Sequence, residues 1–338
     1  MVIKDTNKVD EQIVLKYIKK NIDLSPSGIR KLLKLDKPIL YIYLLLQPMG
    51  ILVKNRIETN TRSPNTKNCS MSAIPFLKMH GIGNDFVIID NRKTEHIVDI
   101  VKIANRRIGV GCDQVIIIEK TINADCLMRI YNADGSEAGA CGNATRCVAQ
   151  IIMQENNKHS VTISVQEKIL KCWQAGKNSV KVDMGKPSFD WEKIPLSHHR
   201  DTMNLPISYG SLISPVAVNI GNPHVIFFVQ DINSIDLADC GPKIENNSLF
   251  PQKVNVNIAQ IENQKILLKV WERGTGETLA CGSGACATLV AAVQRKYISG
   301  NSSTISLPGG ELEIEWNKNV FMTGQVTQVF AGSIKVDI

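Results

Sequence analysis

The sequence predicts an α/β protein built of two similar halves, and two observations carry that reading. The stretch Asn132–Ala149 (NADGSEAGACGNATRCVA) is echoed by Trp271–Thr288 (WERGTGETLACGSGACAT), each with one Ala-Cys-Gly and a glutamate four residues before the cysteine: Glu137 before Cys141, Glu277 before Cys281. From Ile74 onward the chain also reads as short runs of strand period, with a helical pattern after each cysteine turn.

In chain order, Phe86–Asp90 and Val115–Glu119 are β-rich runs, and Thr94–Asn105 has helical spacing. Ser160–Val165 and Ser179–Met184 alternate in the strand period. Val216–Asn219, Val225–Val229, Ile266–Trp271 and Leu312–Trp316 continue the strands in the second half. Each Ala-Cys-Gly leads into an apolar run, Val148, Ile151 and Ile152 in one copy and Ala285–Val293 in the other, so each cysteine falls at the first turn of a helix. Unpaired N–H groups and the positive end of the helix dipole favour an anion there, either a thiolate or a ligand carboxylate. Single cysteines are more often inert core residues; duplication shifts the balance for Cys141 and Cys281, while Cys147 and Cys286 read as core. A structural metal site is not expected, because neither cysteine pair has the two-to-four-residue gap of a zinc knuckle and no histidine follows at ligand spacing.

Further stretches are FLKMHGIGNDFVIID at Phe76–Asp90, GCDQ at Gly111–Gln114, RIYNADGSEAGACGNATRC at Arg129–Cys147, GNPH at Gly221–His224, VNV at Val254–Val256 and LPGGELEIEW at Leu307–Trp316. With WERGTGETLACGSGACA they make the chain from about Phe76 to its end resemble the diaminopimelate epimerases, which interconvert LL- and meso-diaminopimelate, a precursor of lysine and peptidoglycan, without a cofactor. The resemblance implies two pseudo-symmetric domains, 74–188 plus 327–338 and 189–326. Each is a rolled, mostly antiparallel sheet around a central helix, with the active site in the cleft between them. It further implies a homodimer and a cytoplasmic setting. Departures from the common pattern are Cys112, Ala144, Thr145 and Trp271, none of which removes a catalytic group.

A diaminopimelate carries two carboxylates and two ammonium groups. Asn84, Gln114, Asn132, Asn222 and Asn255, all within matching motifs, can both donate and accept; Arg273 suits a carboxylate and Glu272 an ammonium. Gly142, Asn143, Gly282 and Ser283 would offer helix-start N–H groups. Inverting a carbon that bears hydrogen calls for a base on each face, hence Cys141 and Cys281, with His224 and Glu272 setting thiol pKa values by family resemblance. Asp85, Asp113 and Asp134 read as turn or cap residues. The rivals are a proline racemase-like enzyme, a phenazine-biosynthesis-like isomerase, a non-catalytic amino-acid-binding protein and a redox disulfide protein.

Residues 1–75 hold 13 of the 39 basic and 6 of the 32 acidic residues, so they carry the entire net charge of +7 and the remainder is neutral. A neutral body gives no reason to expect nucleic acid. Nine cysteines without framework spacing fit a reducing compartment. The most apolar run, Ile39–Leu46, is too short to span a bilayer and too far from the start for a signal peptide. Residues 1–73 are expected to be a poorly ordered or loosely docked basic extension: two short amphipathic patterns, a polar linker, and Met71 as a possible working start. Asn21–Ile39 weakly resembles the C-terminal segment of S-adenosylmethionine synthetases; no activity is inferred from it.

Overall fold

In the chain's computed structural model the described residues are 73–335, so the readings made for the extension up to Ser72 lie outside them, as do residues 336–338. The first half contains β1 (Ala73–Gly81), β2 (Asn84–Asp90), α1 (Ile100–Ala104), β3 (Gln114–Glu119), β4 (Cys126–Asn132) and β5 (Glu137–Ala138). It continues with α2 (Gly142–Asn156), β6 (Ser160–Val165), β7 (Lys168–Gly176) and β8 (Ser179–Gly185). A small hairpin, β9 (Ser208–Tyr209) and β10 (Leu212–Ile213), precedes β11 (Val216–Asn219), β12 (Pro223–Val229), α3 (Leu237–Glu245) and β13 (Asn255–Glu262). Then come β14 (Lys265–Glu272), β15 (Gly276–Thr278), α4 (Gly282–Gln294), β16 (Ser302–Leu307), β17 (Gly310–Trp316), β18 (Val320–Gln325) and β19 (Thr327–Lys335).

The expected pair of similar halves is what the strand pairings build. In the first half β2 runs parallel to β3, β3 antiparallel to β4, β4 antiparallel to β5 and parallel to β6, and β6, β7 and β8 follow as a meander. In the second, β12 runs parallel to β13, β13 antiparallel to β14, β14 antiparallel to β15 and parallel to β16, and β16, β17 and β18 follow likewise. The halves are stitched together where β18 pairs with β8, and β19 returns to lie antiparallel to β1. Matched registers make residues 140 apart equivalent around the cysteine turns: Tyr131 faces Glu137 as Trp271 faces Glu277.

Each half wraps its long helix. From Asn143 to Met153 every residue of α2 is buried, and α4 is buried almost throughout from Gly282 to Ala292. A helix enclosed on all sides calls for mostly small and apolar residues, which Ala149, Ile152, Ala287, Leu289 and Ala291 supply, with Arg146 and Gln150 of α2 as buried polar exceptions. The short helices lie on the outer faces of the sheets, Ile103 and Ala104 in one apolar layer and Leu237, Cys240 and Ile244 in another. The helix expected over Thr94–Asn105 shrinks to Ile100–Ala104, because the Asp99 side chain accepts from the Lys102 N–H at 3.0 Å and fixes the start there. No helix of the described residues is long and apolar enough to cross a membrane.

Burial pushes the thiols of Cys126, Cys147, Cys172 and Cys286 up to about 12 from the ordinary 9.0. The unfolded chain therefore releases these protons at lower pH than the folded one. The stability this contributes is complete below pH 9 and is lost as pH rises toward 12. Melts under reducing conditions should show a thermal midpoint that falls steadily above pH 9; a flat profile to pH 11 would contradict this account of the core.

Candidate active site

The two cysteine turns face one cleft of about 730 Å³ between the halves. Cys141 is the N-cap of α2 and its sulfur accepts from the Ala144 N–H at 3.4 Å; Cys281 is the N-cap of α4. The first N–H groups of each helix have no intrahelical acceptor, and Gly142, Asn143, Gly282 and Ser283 line the cleft. Met322 of β18 lies beneath both helix starts: a Cβ on Gly142 would meet its Cε at 2.7 Å, and one on Gly282 its Sδ at 2.7 Å.

Around each cysteine the repeat delivers an equivalent set of side chains. Asn84, Gln114 and Asn132 line the first side; Asn222 and Glu272 line the second, and their third counterpart, Asn255, sits behind the wall. Asn84 is placed by a tight β1–β2 turn in which Ile82 and Gly83 both take positive φ, 48° and 90°, a conformation that suits a two-residue hairpin and favours glycine. Its Oδ1 accepts from Asn143 Nδ2 at 3.2 Å and lies 3.6 Å from the Cys141 sulfur. Asn143 Nδ2 also donates to the Ala280 carbonyl at 3.1 Å, tying the two turns together. Gln114 Nε2 donates to Asn132 Oδ1 at 2.9 Å, and Gln114 Oε1 and Asn143 Oδ1 are both buried acceptors without a protein donor.

On the second side, Asn257 Nδ2 bonds His224 Nδ1 at 3.2 Å, so the proton of the neutral ring sits on Nε2. His224 Nε2 is 3.0 Å from Ser283 Oγ, and that hydroxyl is 3.7 Å from the Cys281 sulfur. Burial pulls His224 down to about 3, so it stays uncharged across the working range. Burial likewise pushes the Cys141 thiol up to about 11 and Cys281 well above 9.0, and the Glu272 carboxylate adds to the rise of both. Glu272, held by the Thr278 hydroxyl at 2.6 Å, is itself raised by burial.

Two expected contacts are not brought to the cleft. Asn255 is buried, its amide donating to the Pro223 carbonyl at 2.7 Å and accepting from the Arg273 N–H at 2.9 Å. Arg273 is exposed, with Nη1 donating to the Gln252 carbonyl at 3.1 Å. His224 stands behind Ser283, away from the lining. Among the described residues no three His, Cys, Asp or Glu side chains converge as a metal site requires.

The diaminopimelate epimerase family model matches residues 76–190 and 216–329, both halves of the repeat. The chain belongs to the diaminopimelate epimerase family. The diaminopimelate epimerase of Wolbachia sp. subsp. Drosophila simulans is 53% identical over 254 residues, 74% of this chain and 96% of the relative. That of Rhodospirillum centenum is 46% identical over 267 residues, covering 77% and 91%. Among solved structures, a hydroxyproline epimerase from Agrobacterium vitis shares the fold with a TM-score of 0.59 at 12% identity, covering 80% of this chain and 95% of that one. A Bacillus anthracis phenazine biosynthesis protein of the PhzF family does so with 0.59 at 15%, covering 79% and 100%. The chain is thus an isomerase of the amino-acid racemase and epimerase class.

Several residues of this epimerase site escape sequence reasoning. Asp113, read as a turn residue, accepts from Asn84 Nδ2 at 2.9 Å and from the Asp85 N–H at 3.0 Å, so it fixes which end of the Asn84 amide faces Cys141. Asp85 joins the same network through Lys78 and Arg106. Asn257 and Thr278 orient His224 and Glu272. Thr278 lies inside the WERGTGETLACGSGACA stretch and Asn257 directly after Val254–Val256, but a place in or beside a motif does not distinguish a partner from a bystander.

Proposed function

We propose that this chain interconverts LL- and meso-diaminopimelate with Cys141 and Cys281 as opposed bases. The observation that carries the reading is the duplication: two helix-capping thiols, each with an equivalent set of polar side chains, turned to one cleft. One cysteine as thiolate takes the α-proton from one face; the other, as thiol, gives its proton to the carbon from the opposite face, and the two exchange states. The carbanionic α-carboxylate is stabilised by the unpaired N–H groups at Gly142, Asn143, Gly282 and Ser283, whose fixed dipoles need no reorganisation. The buried acceptors Gln114 Oε1 and Asn143 Oδ1, with Glu272, suit the ammonium groups; Asn84, Asn132 and Asn222 complete the lining. The homodimer and the cytoplasmic setting implied by the resemblance belong to the same proposal, and two thiols that must stay reduced agree with a reducing compartment.

The test is to incubate the purified chain with LL-diaminopimelate and separate the isomers by chiral chromatography. Approach to an LL/meso equilibrium from either side is expected; a folded protein that converts neither isomer would overturn the proposal.

A further inference from the structure

The two halves are equivalent in backbone but not in charge. Position by position, the neutral Asn132 of the first half answers to the carboxyl Glu272 of the second, and Arg146, five residues into α2 from Cys141, answers to Cys286. Arg146 is fully buried, its guanidinium lying where the halves meet. A Cβ on Gly81 of β1 would come within 2.9 Å of its Nη2, and one on Gly324 of β18 within 3.1 Å of its Cζ, so a glycine from each half makes room for it. Its one side-chain partner is the Met322 sulfur, 3.3 Å from Nη1, while Nε and Nη2 have none; no carboxylate among the described residues lies within ion-pair reach. Arginine does not give up its proton in a protein interior, so this is a buried cation without a resident anion. The ionisable groups whose fields reach it are the thiols of Cys147, Cys141 and Cys286. Cys147 and Cys286 are sealed in the core, whereas Cys141 is half-buried and opens onto the cleft.

We propose that Arg146 is the fixed counter-charge of the Cys141 thiolate, a positioning residue that makes the first-half thiol the one to lose its proton in the free enzyme while Glu272 keeps Cys281 protonated. The inference rests on the two-base reading. The charged groups acting on Cys141 are Glu272, which raises its pKa, and Arg146, which lowers it; Glu272 acts on Cys281 at close range, and Arg146 does not offset it there. The repeat thus supplies two bases, and its two departures from symmetry polarise them so that the two thiols lose their protons in a set order, Cys141 first.

The test measures iodoacetamide alkylation of Cys141 and Cys281 separately, by peptide mass spectrometry, as a function of pH. In Arg146→Met the Cys141 midpoint should move up by about one pH unit, roughly tenfold in rate below the midpoint, with the Cys281 midpoint unmoved. Arg146→Lys, which keeps the charge, should restore most of that shift. The thermal midpoint of Arg146→Met should hold or rise, because an uncompensated buried charge has been removed. Should that variant not fold, Arg146→Gln carries the same expectation. An unmoved Cys141 midpoint in a folded neutral variant, or equal movement of both thiols, overturns the proposal. Alkylation reads ionisation whether or not the thiols are bases, so failure of the two-base reading would show separately, as turnover surviving Cys141→Ala.

Discussion

Cys141→Ala and Cys281→Ala each lose epimerisation by at least about 10³-fold while remaining folded. General acid–base catalysis by one positioned group contributes roughly 10²–10⁴-fold, and here the loss is at the upper end because water cannot reach the same point with the same preorganised geometry. Both cysteines cap helices, but neither cap is a strong one. The Cys141 sulfur accepts one long bond from Ala144, and Cys281 makes no side-chain cap bond, so the alanine variants cost on the order of 1 kcal/mol of stability. Cys147→Ala is the control: fully buried nearly two turns further along α2, it should lose about 1 kcal/mol of packing and keep its turnover. Rates come from the chiral assay and stability from thermal melts. A Cys141 or Cys281 variant with near wild-type turnover would remove the basis of the mechanism.

Gly309→Ala should lower both turnover and stability, although residue 309 is no part of the lining. Gly309 lies in the turn from β16 to β17, where its N–H donates to the Leu279 carbonyl at 2.8 Å, and an added Cβ would overlap the Ile82 carbonyl oxygen. Both neighbours are backbone, so no side chain can swing aside to relieve the overlap. Leu279 stands two residues before Cys281 and Ile82 two before Asn84, so the second-half LPGG turn holds the two loops that carry the site from opposite halves. Forcing them apart should cost about 1–3 kcal/mol and reduce kcat/KM by roughly 10-fold or more, since displacements near 1 Å at a reacting centre have effects of that order. A crystal structure of the variant would show the Asn84 turn displaced from Cys141; unchanged turnover would mean that the turn does not position the site.

Much of this was legible in the sequence because the information was local. The duplicated Ala-Cys-Gly announced two equivalent helix starts, and strand alternation located most of the sheet. What stayed hidden is long-range. Nothing near Arg273 in sequence shows that its guanidinium lies on the Gln252 carbonyl and its N–H on Asn255, so it was expected in the cleft. A lone arginine on a helix reads as solvated, yet Arg146 is enclosed because β1 and β18, from opposite ends of the chain, both offer glycines. Asp113 looks like any turn aspartate until β2 and β3 pair in parallel and carry it to Asn84. The shortening of the Thr94–Asn105 pattern to Ile100–Ala104 has a local cause, the Asp99 cap, which apolar spacing alone does not weigh.

Two bases on opposite faces leave a signature that no single-base route shares. With LL-diaminopimelate in deuterated water, followed by NMR within the first few per cent of conversion, the account predicts deuterium at the inverted α-carbon of nearly every meso product molecule and almost none in the recovered LL substrate, because the proton removed by one thiol is not the one returned from the other. Substantial deuterium in unreacted substrate, or product that retains its original α-hydrogen, would mean that one group both removes and returns the proton, and the paired roles of Cys141 and Cys281 would be wrong.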